Sequence, residues 1–468
     1  MIYVLTLKLK TEIYQEHRIV KSFNVAIRMY NSLLACENKK VEKLEKDLMY
    51  KDLLYKKGKN KEDFAKLKNI RKEYKLSEFD FINDIKSIRN HYKENMSSQV
   101  GQKLAKRLWA SFDKYFSGKG KKIGFKKKNT IDSLEGSSNY NGIIFDGKNI
   151  LYLDMKIPVI IPKNPYVKES LKRKVCYVRL LRRPSKKGYY YYAQIVLDGT
   201  SPAKKRHTTI GRVGVDIGTS TIAIVSDYNV SIDELSKEIK DYGNELKQIN
   251  RKIERSKRIL NPDNYNEDGT LKTGKHKWII SKNCKKLFHK RKYINQKIKN
   301  IRKYLYELKA NEILSQGNEI IVETMDFKAL QKRKKETEKD EKGRFKKKKR
   351  FGKSIAKHAP STLITIIERK APLFKAQIIK VDKFKYRASQ YNHITGEYVK
   401  RKLNERKFLI GDYECQRDLY SAFLLKCYKT NEEIDTELCF KEFERFKELH
   451  EIEIIRLRNQ TNISCIGY

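Results

Sequence analysis

An acidic residue inside an apolar strand–turn–strand segment is the feature that most constrains how this chain can fold. Residues 213–217 have a strand pattern, residues 218–220 form a Gly-Thr-Ser turn, and residues 221–226 have a second strand pattern. Asp216 lies within the first strand. A carboxylate in a half-buried strand is costly unless something positive neutralises it. The pattern predicts a β-hairpin, and Asp216 either binds a metal ion or caps the turn that follows it.

Two further acids occupy positions that fit the same chemistry. Residues 319–323 form a short apolar run, typical of an interior strand, that ends in Glu323. Asp418 lies near the start of a predicted helix. Mg²⁺ prefers oxygen ligands, and hydrolysis of a phosphodiester by two metal ions needs clustered carboxylates. Asp216, Glu323 and Asp418 are therefore candidate metal ligands and catalytic residues, although Glu323 or Asp418 alone fits a structural role better.

The charge of the chain indicates the class of partner. Among 468 residues, 105 Lys and Arg outnumber 57 Asp and Glu, which gives a net charge of +48. Such a charge attracts polyanions, and nucleic acid is the leading partner. The 39% hydrophobic and 11% aromatic residues argue against uniform disorder. Because there is no apolar run of about 18 residues and no signal-peptide core, we expect a cytoplasmic protein without membrane contact.

Hydrophobic periodicity divides the chain into three regions. Residues 14–116 repeat apolar positions at helical spacing, and residues 119–198 contain short β-rich runs between Gly and Pro residues. From residue 206, the hairpin of Asp216 is followed by two segments with apolar residues every three or four positions. These segments predict an antiparallel helical hairpin that begins with capping-box spacing at 231–234.

A highly basic tract follows the predicted strand at Glu323. Residues 332–350 contain twelve Lys or Arg and four acids. This composition fits a solvated disordered loop, a phosphate-contacting loop, or both. After it, the pattern predicts a helix over 360–370 and a strand over 376–381.

The cysteines argue against a structural zinc ion. The chain has seven cysteines and no Cys-x-x-Cys pair. Tetrahedral zinc needs four Cys or His ligands, usually in tight pairs, but residues 381–425 offer only His393 and Cys415. We therefore expect reduced thiols and no zinc.

Several motifs together resemble one protein family. The Gly-Val-Asp-Ile-Gly segment at 214–218, with 223–226, resembles the first RuvC motif of the transposon-encoded TnpB proteins, which are relatives of the type V CRISPR effector nucleases. Ile-Ile-Val-Glu at 320–323 is similar to the second motif, and Arg417-Asp418 with Ala422 is similar to the third. The basic glycine stretch at 120–128 and the segment 353–356 with Lys370-Ala371 resemble other parts of the family.

The resemblance implies a multidomain α+β fold. Its first part would be a β-barrel wedge domain, formed by residues 1–12 and 118–205, with a helical recognition domain inserted at 13–117. Its second part would be an RNase H-like (RuvC) α/β domain at 206–468. That domain would contain the helical hairpin as an insertion at 231–315 and a degenerate zinc-ribbon region without cysteine pairs at 383–414.

The resemblance also implies an activity and its partners. The expected activity is that of an RNA-guided DNA endonuclease, which uses two Mg²⁺ ions to cut DNA beside a short target-adjacent motif. The expected partners are a guide RNA and double-stranded target DNA, in a monomeric ribonucleoprotein at the prokaryotic nucleoid. The expected nucleic-acid contacts are at Lys121, Lys122, Lys126, Lys127, Lys128 and Arg417.

The sequence departs from the family in two places, and two other functions stay open. The family's four-cysteine ribbon is missing, and the third motif has Gln416 and Tyr420 where Asp and Asn are usual. One alternative is a nuclease-inactive, RNA-guided DNA-binding regulator. Another is an ATP-dependent enzyme of the sugar kinase and actin superfamily, because residues 216–221 also resemble its phosphate loop. The absence of any Gly-Gly dipeptide argues against this last class.

Overall fold

Two units make up the chain, Met1–Pro202 and Ala203–Tyr468. The computed structural model describes residues 2–202, 208–332, 341, 351–401, 405–430 and 433–459, and it gives only the backbone at 240 and 241. Except for Lys332 and Glu341, the basic tract at 332–350 lies outside the described residues. Each unit has its own hydrophobic core and is described by itself.

The first unit contains one antiparallel sheet and a set of helices. Its strands are β1 (Ile2–Leu9), β2 (Ser133–Glu135), β3 (Ile143–Phe145), β4 (Asn149–Tyr152), β5 (Met155–Ile160), β6 (Val175–Pro184) and β7 (Tyr189–Asp198). Its helices are α1 (Ile13–Leu44), α2 (Leu48–Tyr55), α3 (Lys61–Glu73), α4 (Glu78–His91), α5 (Ser98–Phe116) and α6 (Pro165–Ser170).

The sheet of the first unit joins the start of the chain to its β-rich region. The strand order is β2-β6-β7-β1-β5-β4-β3, so β1 lies between β7 and β5. Leu5, Leu7 and Leu9 alternate along β1 and are buried, as the period of two in the sequence predicts. The sheet curls into a half-barrel. The pairing of β2 with β6 continues past the end of β2, where the backbone N–H of Gly136 donates to the Val178 carbonyl oxygen.

The helices of the first unit pack through the periodic apolar residues seen in the sequence. Ile19, Phe23 and Tyr30 of α1 are all buried in the same core as the sheet. Phe81 of α4 meets the ring of Phe112 in α5 edge to face at 5.2 Å. Burying such side chains stabilises the fold by roughly 1.5–3 kcal/mol each.

The second unit alternates strands and helices. Its strands are β8 (Arg212–Ile217), β9 (Thr221–Val225), β10 (Val230–Glu234), β11 (Glu319–Glu323), β12 (Gln377–Val381), β13 (Lys407–Ile410), β14 (Tyr413–Gln416), β15 (Tyr428–Lys429) and β16 (Glu433–Ile434). Its helices are α7 (Lys240–Leu260), α8 (Lys282–Gln316), α9 (Phe327–Leu330), α10 (Gly352–His358), α11 (Pro360–Lys370), α12 (Lys383–Tyr386), α13 (Arg417–Lys426) and α14 (Thr436–Arg458). No helix in the described parts of the chain is long and apolar enough to cross a membrane. The predicted mixed α+β architecture is confirmed.

A mixed five-stranded sheet forms the centre of the second unit. Its order is β10-β9-β8-β11-β12; β8, β9 and β10 pair antiparallel, whereas β11 is parallel to both β8 and β12. All five residues of β9 are buried, because both faces of the sheet are covered. One face packs on a core that includes α13 and α14, and the other packs on a core that includes α8 and α11.

The helical hairpin starts later than the sequence predicts. Residues 231–234 belong to strand β10, which pairs with β9, and the first long helix begins only at Lys240. The capping-box spacing there was misleading, because pairing with the hairpin edge outweighs the local helix signal. The predicted antiparallel partner helix is present as α8, and Lys290 of α8 forms an ion pair with Glu245 of α7 at 2.9 Å.

Candidate active site

Asp216 lies on the face of the central sheet that packs against α13. Along β8, Val213, Val215 and Ile217 point into the core that includes α8 and α11. Because side chains alternate along a strand, Gly214 and Asp216 point to the opposite face. This is the face on which Ala422 of α13 is buried.

A very close approach of two backbone segments fixes the second half of α13 against β8. A Cβ atom built on Gly214 would lie 1.9 Å from the Ala422 carbonyl oxygen and 2.5 Å from the backbone nitrogen of Lys426. Only glycine allows this contact. Asp418 precedes Ala422 by one helical turn, and Asp216 follows Gly214 by two strand residues. The close approach therefore brings Asp418 toward Asp216.

Glu323 reaches the same edge of the sheet from the neighbouring parallel strand. Val322 of β11 is paired with Val215 of β8, so Glu323 is the next residue along beside Asp216. Ile321 is buried in the α13 core, whereas Val322 is buried in the other core. By alternation, Glu323 faces α13, as Asp216 does. The fold thus brings the three acids singled out in the sequence to one place.

The electrostatics show that these carboxylates influence one another. Burial raises the pKa of Asp216 well above its usual range, and the negative charges of Asp418 and Glu323 raise it further; the Arg417 guanidinium opposes the shift. Burial also raises the pKa of Glu323, with Lys383 opposing the shift. The ionised forms of Asp216 and Glu323 are therefore disfavoured here, and a bound cation would stabilise them.

Asp418 differs from the other two acids because arginines hold both of its oxygens. Arg417 donates to Oδ1 from Nη2 at 2.9 Å and from Nε at 3.1 Å. Arg406 donates to Oδ2 from Nη1 at 3.1 Å. Gln416, which departs from the family motif, caps α13 by accepting the backbone N–H of Leu419 at 2.8 Å.

The three acids have the carboxylate oxygens that a divalent cation prefers as ligands, but their side chains do not form a complete coordination site. Carboxylate oxygens suit Mg²⁺, and the mutual repulsion at Asp216 is what a bound cation would offset. Among the described residues, no three His, Cys, Asp or Glu side chains converge closely enough to hold a metal ion as they stand. Asp216 and Glu323 fit such an ion directly, whereas Asp418 must exchange an arginine contact for it.

Three residues around the site were missed in the sequence. Asp382 follows β12, the strand parallel to β11, and its charge adds to the raised pKa of Glu323. Its position after an apolar strand is the same signal that identified Glu323. Lys383 follows it directly. Arg406 carries no such signal, because only the fold brings it to Asp418.

The predicted basic contacts lie in the first unit, apart from Arg417. Lys121, Lys122, Lys126, Lys127 and Lys128 are all exposed. Asn31 of α1 fixes this stretch by exchanging two hydrogen bonds with the Lys126 backbone, at 2.9 and 2.8 Å. The Lys126 ammonium lies 5.2 Å from the centre of the Tyr30 ring. The stretch therefore presents exposed positive charge on a backbone that Asn31 holds in place. Arg417, in contrast, binds Asp418.

The degenerate ribbon region packs through aromatic side chains. His393 is 2% exposed, and its ring lies 4.6 Å from that of Phe443 and 5.9 Å from that of Tyr420. Its Nδ1 shares a hydrogen bond with the Tyr420 hydroxyl at 2.7 Å. Cys415 is fully buried in β14. The absence of zinc stays a prediction; elemental analysis showing about one zinc per chain would contradict it.

We expect acid to destabilise the second unit through buried histidines. Burial lowers the pKa of His450 to about 4, and its Nε2 accepts the backbone N–H of Gln416 at 3.1 Å. The unfolded chain, with a histidine pKa near 6.5, binds more protons between about pH 4 and 6.5. Stability is therefore lost as the pH falls through this window, by on the order of 2 kcal/mol at pH 5.

The check is urea unfolding, followed by circular dichroism, at pH 7.5 and pH 5. His450→Gln should reduce the difference between the two midpoints, because glutamine keeps an acceptor but does not titrate. His17→Gln, at an exposed histidine of the first unit, is the matched control and should leave the difference unchanged. An unchanged difference in His450→Gln would contradict the assignment.

The comparisons with known proteins return structures only. No protein-family model matches the chain, and no curated protein matches it. One similar structure is a Cas12f1–sgRNA–target DNA complex, with 13% identity, a TM-score of 0.40, and coverage of 91% of this chain and 98% of that chain. Another is a CRISPR-Cas12f ternary complex, with 15% identity, a TM-score of 0.27, and coverage of 89% and 82%. Both are type V CRISPR effectors, which are relatives of TnpB. At these values the likeness does not establish function.

Proposed function

We propose that this chain is an RNA-guided DNA endonuclease of the TnpB type, with an RNase H-like nuclease domain in its second unit. The observation that carries the proposal is that Asp216 and Glu323 lie on the face of the mixed sheet that packs against α13, which carries Asp418; burial, together with the charges of Asp418 and Glu323, raises the pKa of Asp216. These are the acids at the three motif positions. The net charge of +48 supplies the affinity for nucleic acid.

Each residue of the site would have its own role in the proposed cleavage of DNA. Asp216 and Glu323, with Asp418, would hold two Mg²⁺ ions, which supply an activated water and stabilise the leaving oxygen. Gly214 positions α13 so that Asp418 stays close to Asp216. Arg417 and Arg406 hold the Asp418 carboxylate in orientation. If Asp418 served as a metal ligand, the Arg417 or Arg406 guanidinium would be placed to contact a phosphate.

One observation favours the nuclease-inactive alternative. Both oxygens of Asp418 are engaged by arginines, an arrangement that already satisfies the acid without a metal ion. A chain in which this pairing persisted would bind DNA under RNA guidance without cutting it. Cleavage and binding must therefore be measured separately.

The test begins with the RNA that copurifies when the gene is expressed with its flanking DNA. Sequencing this RNA defines the guide, and a plasmid library with a matching target beside randomised bases then serves as substrate. We expect Mg²⁺-dependent cleavage of plasmids that carry one short adjacent motif. Binding of the same plasmids without cleavage would favour the inactive regulator, and no RNA-dependent binding would refute the proposal.

We expect binding of duplex DNA to depend steeply on salt through the basic stretch around Lys126. Each phosphate contact contributes about 0.9 to the slope of log affinity against log salt concentration. Replacing Lys126, Lys127 and Lys128 by alanine should therefore lower the slope by up to about 3. Filter binding between 50 and 300 mM salt measures it, and an unchanged slope would place the stretch away from phosphate.

A further inference from the structure

A cavity of about 780 Å³ lies within the helical part of the first unit. Its walls come from α3, the end of α5 and the loops beside them, including Phe64, Arg71, Trp109 and Phe116. The volume falls within the roughly 300–1,000 Å³ typical of ligand pockets. The residues of the carboxylate site do not include any that line this cavity.

Aromatic rings form one part of its lining. The rings of Trp109 and Phe116 lie 6.4 Å apart, and both are only partly buried. Phe64 is 60% exposed, so its ring is accessible from solvent beside these two rings. The Arg71 guanidinium lies 4.7 Å from the centre of the Phe116 ring and adds a flat, charged surface. Such faces suit a planar ligand.

Lysine side chains form the rim of the cavity. Lys59, Lys68, Lys72 and Lys119 line the cavity together with a single acid, Asp113. In the described part of the first unit, none of these four lysines forms an ion pair with a carboxylate. Lys56, which does not line the cavity, pairs with Asp63 at 2.8 Å. The rim therefore has unmet positive charge, which calls for an anionic ligand.

We infer that this cavity binds an unstacked nucleotide of a nucleic-acid strand, with the base against Trp109, Phe116 and Phe64 and the neighbouring phosphates on the lysine rim. Flat aromatic faces combined with unpaired lysines match a base attached to phosphates better than they match an acidic peptide. The inference rests on the nucleic-acid binding of the proposed function but not on cleavage.

The probe is the fluorescence of Trp109 in the full chain. The sequence has two tryptophans, so Trp278→Phe leaves Trp109 as the only one. Single-stranded 12-mers of DNA and of RNA, with the same base sequence, are titrated separately into protein freed of bound RNA. We expect saturable quenching of Trp109 by at least one strand type, and comparing the two shows which strand supplies the nucleotide.

Two lysine pairs on the same helix provide a matched comparison. Lys68→Ala with Lys72→Ala removes two rim charges, whereas Lys61→Ala with Lys66→Ala removes two exposed charges of α3 that do not line the cavity. The first pair should reduce the salt slope for single strands by about 1.4, at about 0.7 per contact. The second pair should leave it unchanged. Phe64→Ala should weaken binding by about tenfold through lost stacking.

Three results would overturn the inference: strand binding without quenching of Trp109, equal effects of the two lysine pairs, or equal quenching by polyglutamate of matched charge. Cleavage assays on the same variants keep the two proposals apart. Normal RNA-guided cleavage without quenching of Trp109 would remove the nucleotide site and leave the proposed function standing. Quenching of Trp109 with no cleavage under any condition would support the nucleotide site and refute the proposed nuclease.

Discussion

Replacing Asp216 by asparagine should lower the rate of DNA cleavage by at least about 10³-fold, because the transition-state charge stabilisation supplied by a metal ion is worth several kcal/mol. Guide RNA and target DNA should still bind, since the contacts that fix phosphates are separate from the carboxylates. The metal-free variant should unfold at an equal or higher urea concentration than the parent chain. The reason is that asparagine carries no charge, which removes both the cost of burying a carboxylate and the repulsion from Asp418 and Glu323, the causes that raise the pKa of Asp216.

Two matched substitutions separate the site from general effects of charge. Asp412→Asn makes the same chemical change at an exposed turn, and Glu319→Gln changes the other end of β11 from Glu323. Both should cut at the parental rate, whereas Glu323→Gln should behave like Asp216→Asn. Single-turnover cleavage of a labelled plasmid measures all four variants. Full activity of Asp216→Asn would remove this residue from the metal site.

Gly214→Ala should destabilise the second unit by about 3 kcal/mol or more, an effect at the upper end for overpacking. The added Cβ would lie 1.9 Å from the Ala422 carbonyl oxygen, so β8 and α13 must separate. Because the clashing atoms belong to the backbone, shortening a neighbouring side chain cannot relieve the clash. Cleavage should fall together with stability, since the separation carries Asp418 away from Asp216. Urea unfolding and the plasmid assay measure the two effects.

Gly243→Ala is the control for that substitution. Gly243 lies within α7, and a Cβ built there would meet nothing within 4 Å. Alanine is better than glycine inside a helix by up to about 1 kcal/mol, so this variant should be slightly more stable than the parent. Destabilisation of both variants to the same extent would contradict the packing assigned to Gly214.

Much of the fold could be predicted from periodicity alone. The hairpin at Asp216, the strand that ends in Glu323 and the helix Pro360–Lys370 all have the expected type and position. Residues 231–234 were predicted wrongly as a helix start. Their apolar spacing is compatible with both a helix and a strand. They form a strand because they pair with β9, and the local sequence does not indicate this pairing.

The acids of the site could be predicted from the sequence, but the basic residues that neutralise them could not. Each acid adjoins an apolar strand or opens a helix, which is a local pattern. Arg406 reaches Asp418 only because the turn between β13 and β14 folds the chain back on itself, and the Arg417 backbone N–H donates to the Arg406 carbonyl oxygen at 2.8 Å. The role of Gly214 is similar: the sequence shows a glycine, and only the packed helix shows why no other residue fits.

The order in which these elements leave the ribosome has a consequence for the cell. The central strand β8 cannot pair with its parallel neighbour β11 until β11 has been synthesised. Likewise, the three acids cannot come together until α13 has been synthesised. At about 5–20 residues added per second, synthesis from Asp216 to Asp418 takes roughly 10–40 s. During this time the first unit is already synthesised. Under the proposed function, a growing chain would be able to bind RNA through that unit before it could cut DNA, and a prematurely terminated chain that lacks α13 would bind without cutting.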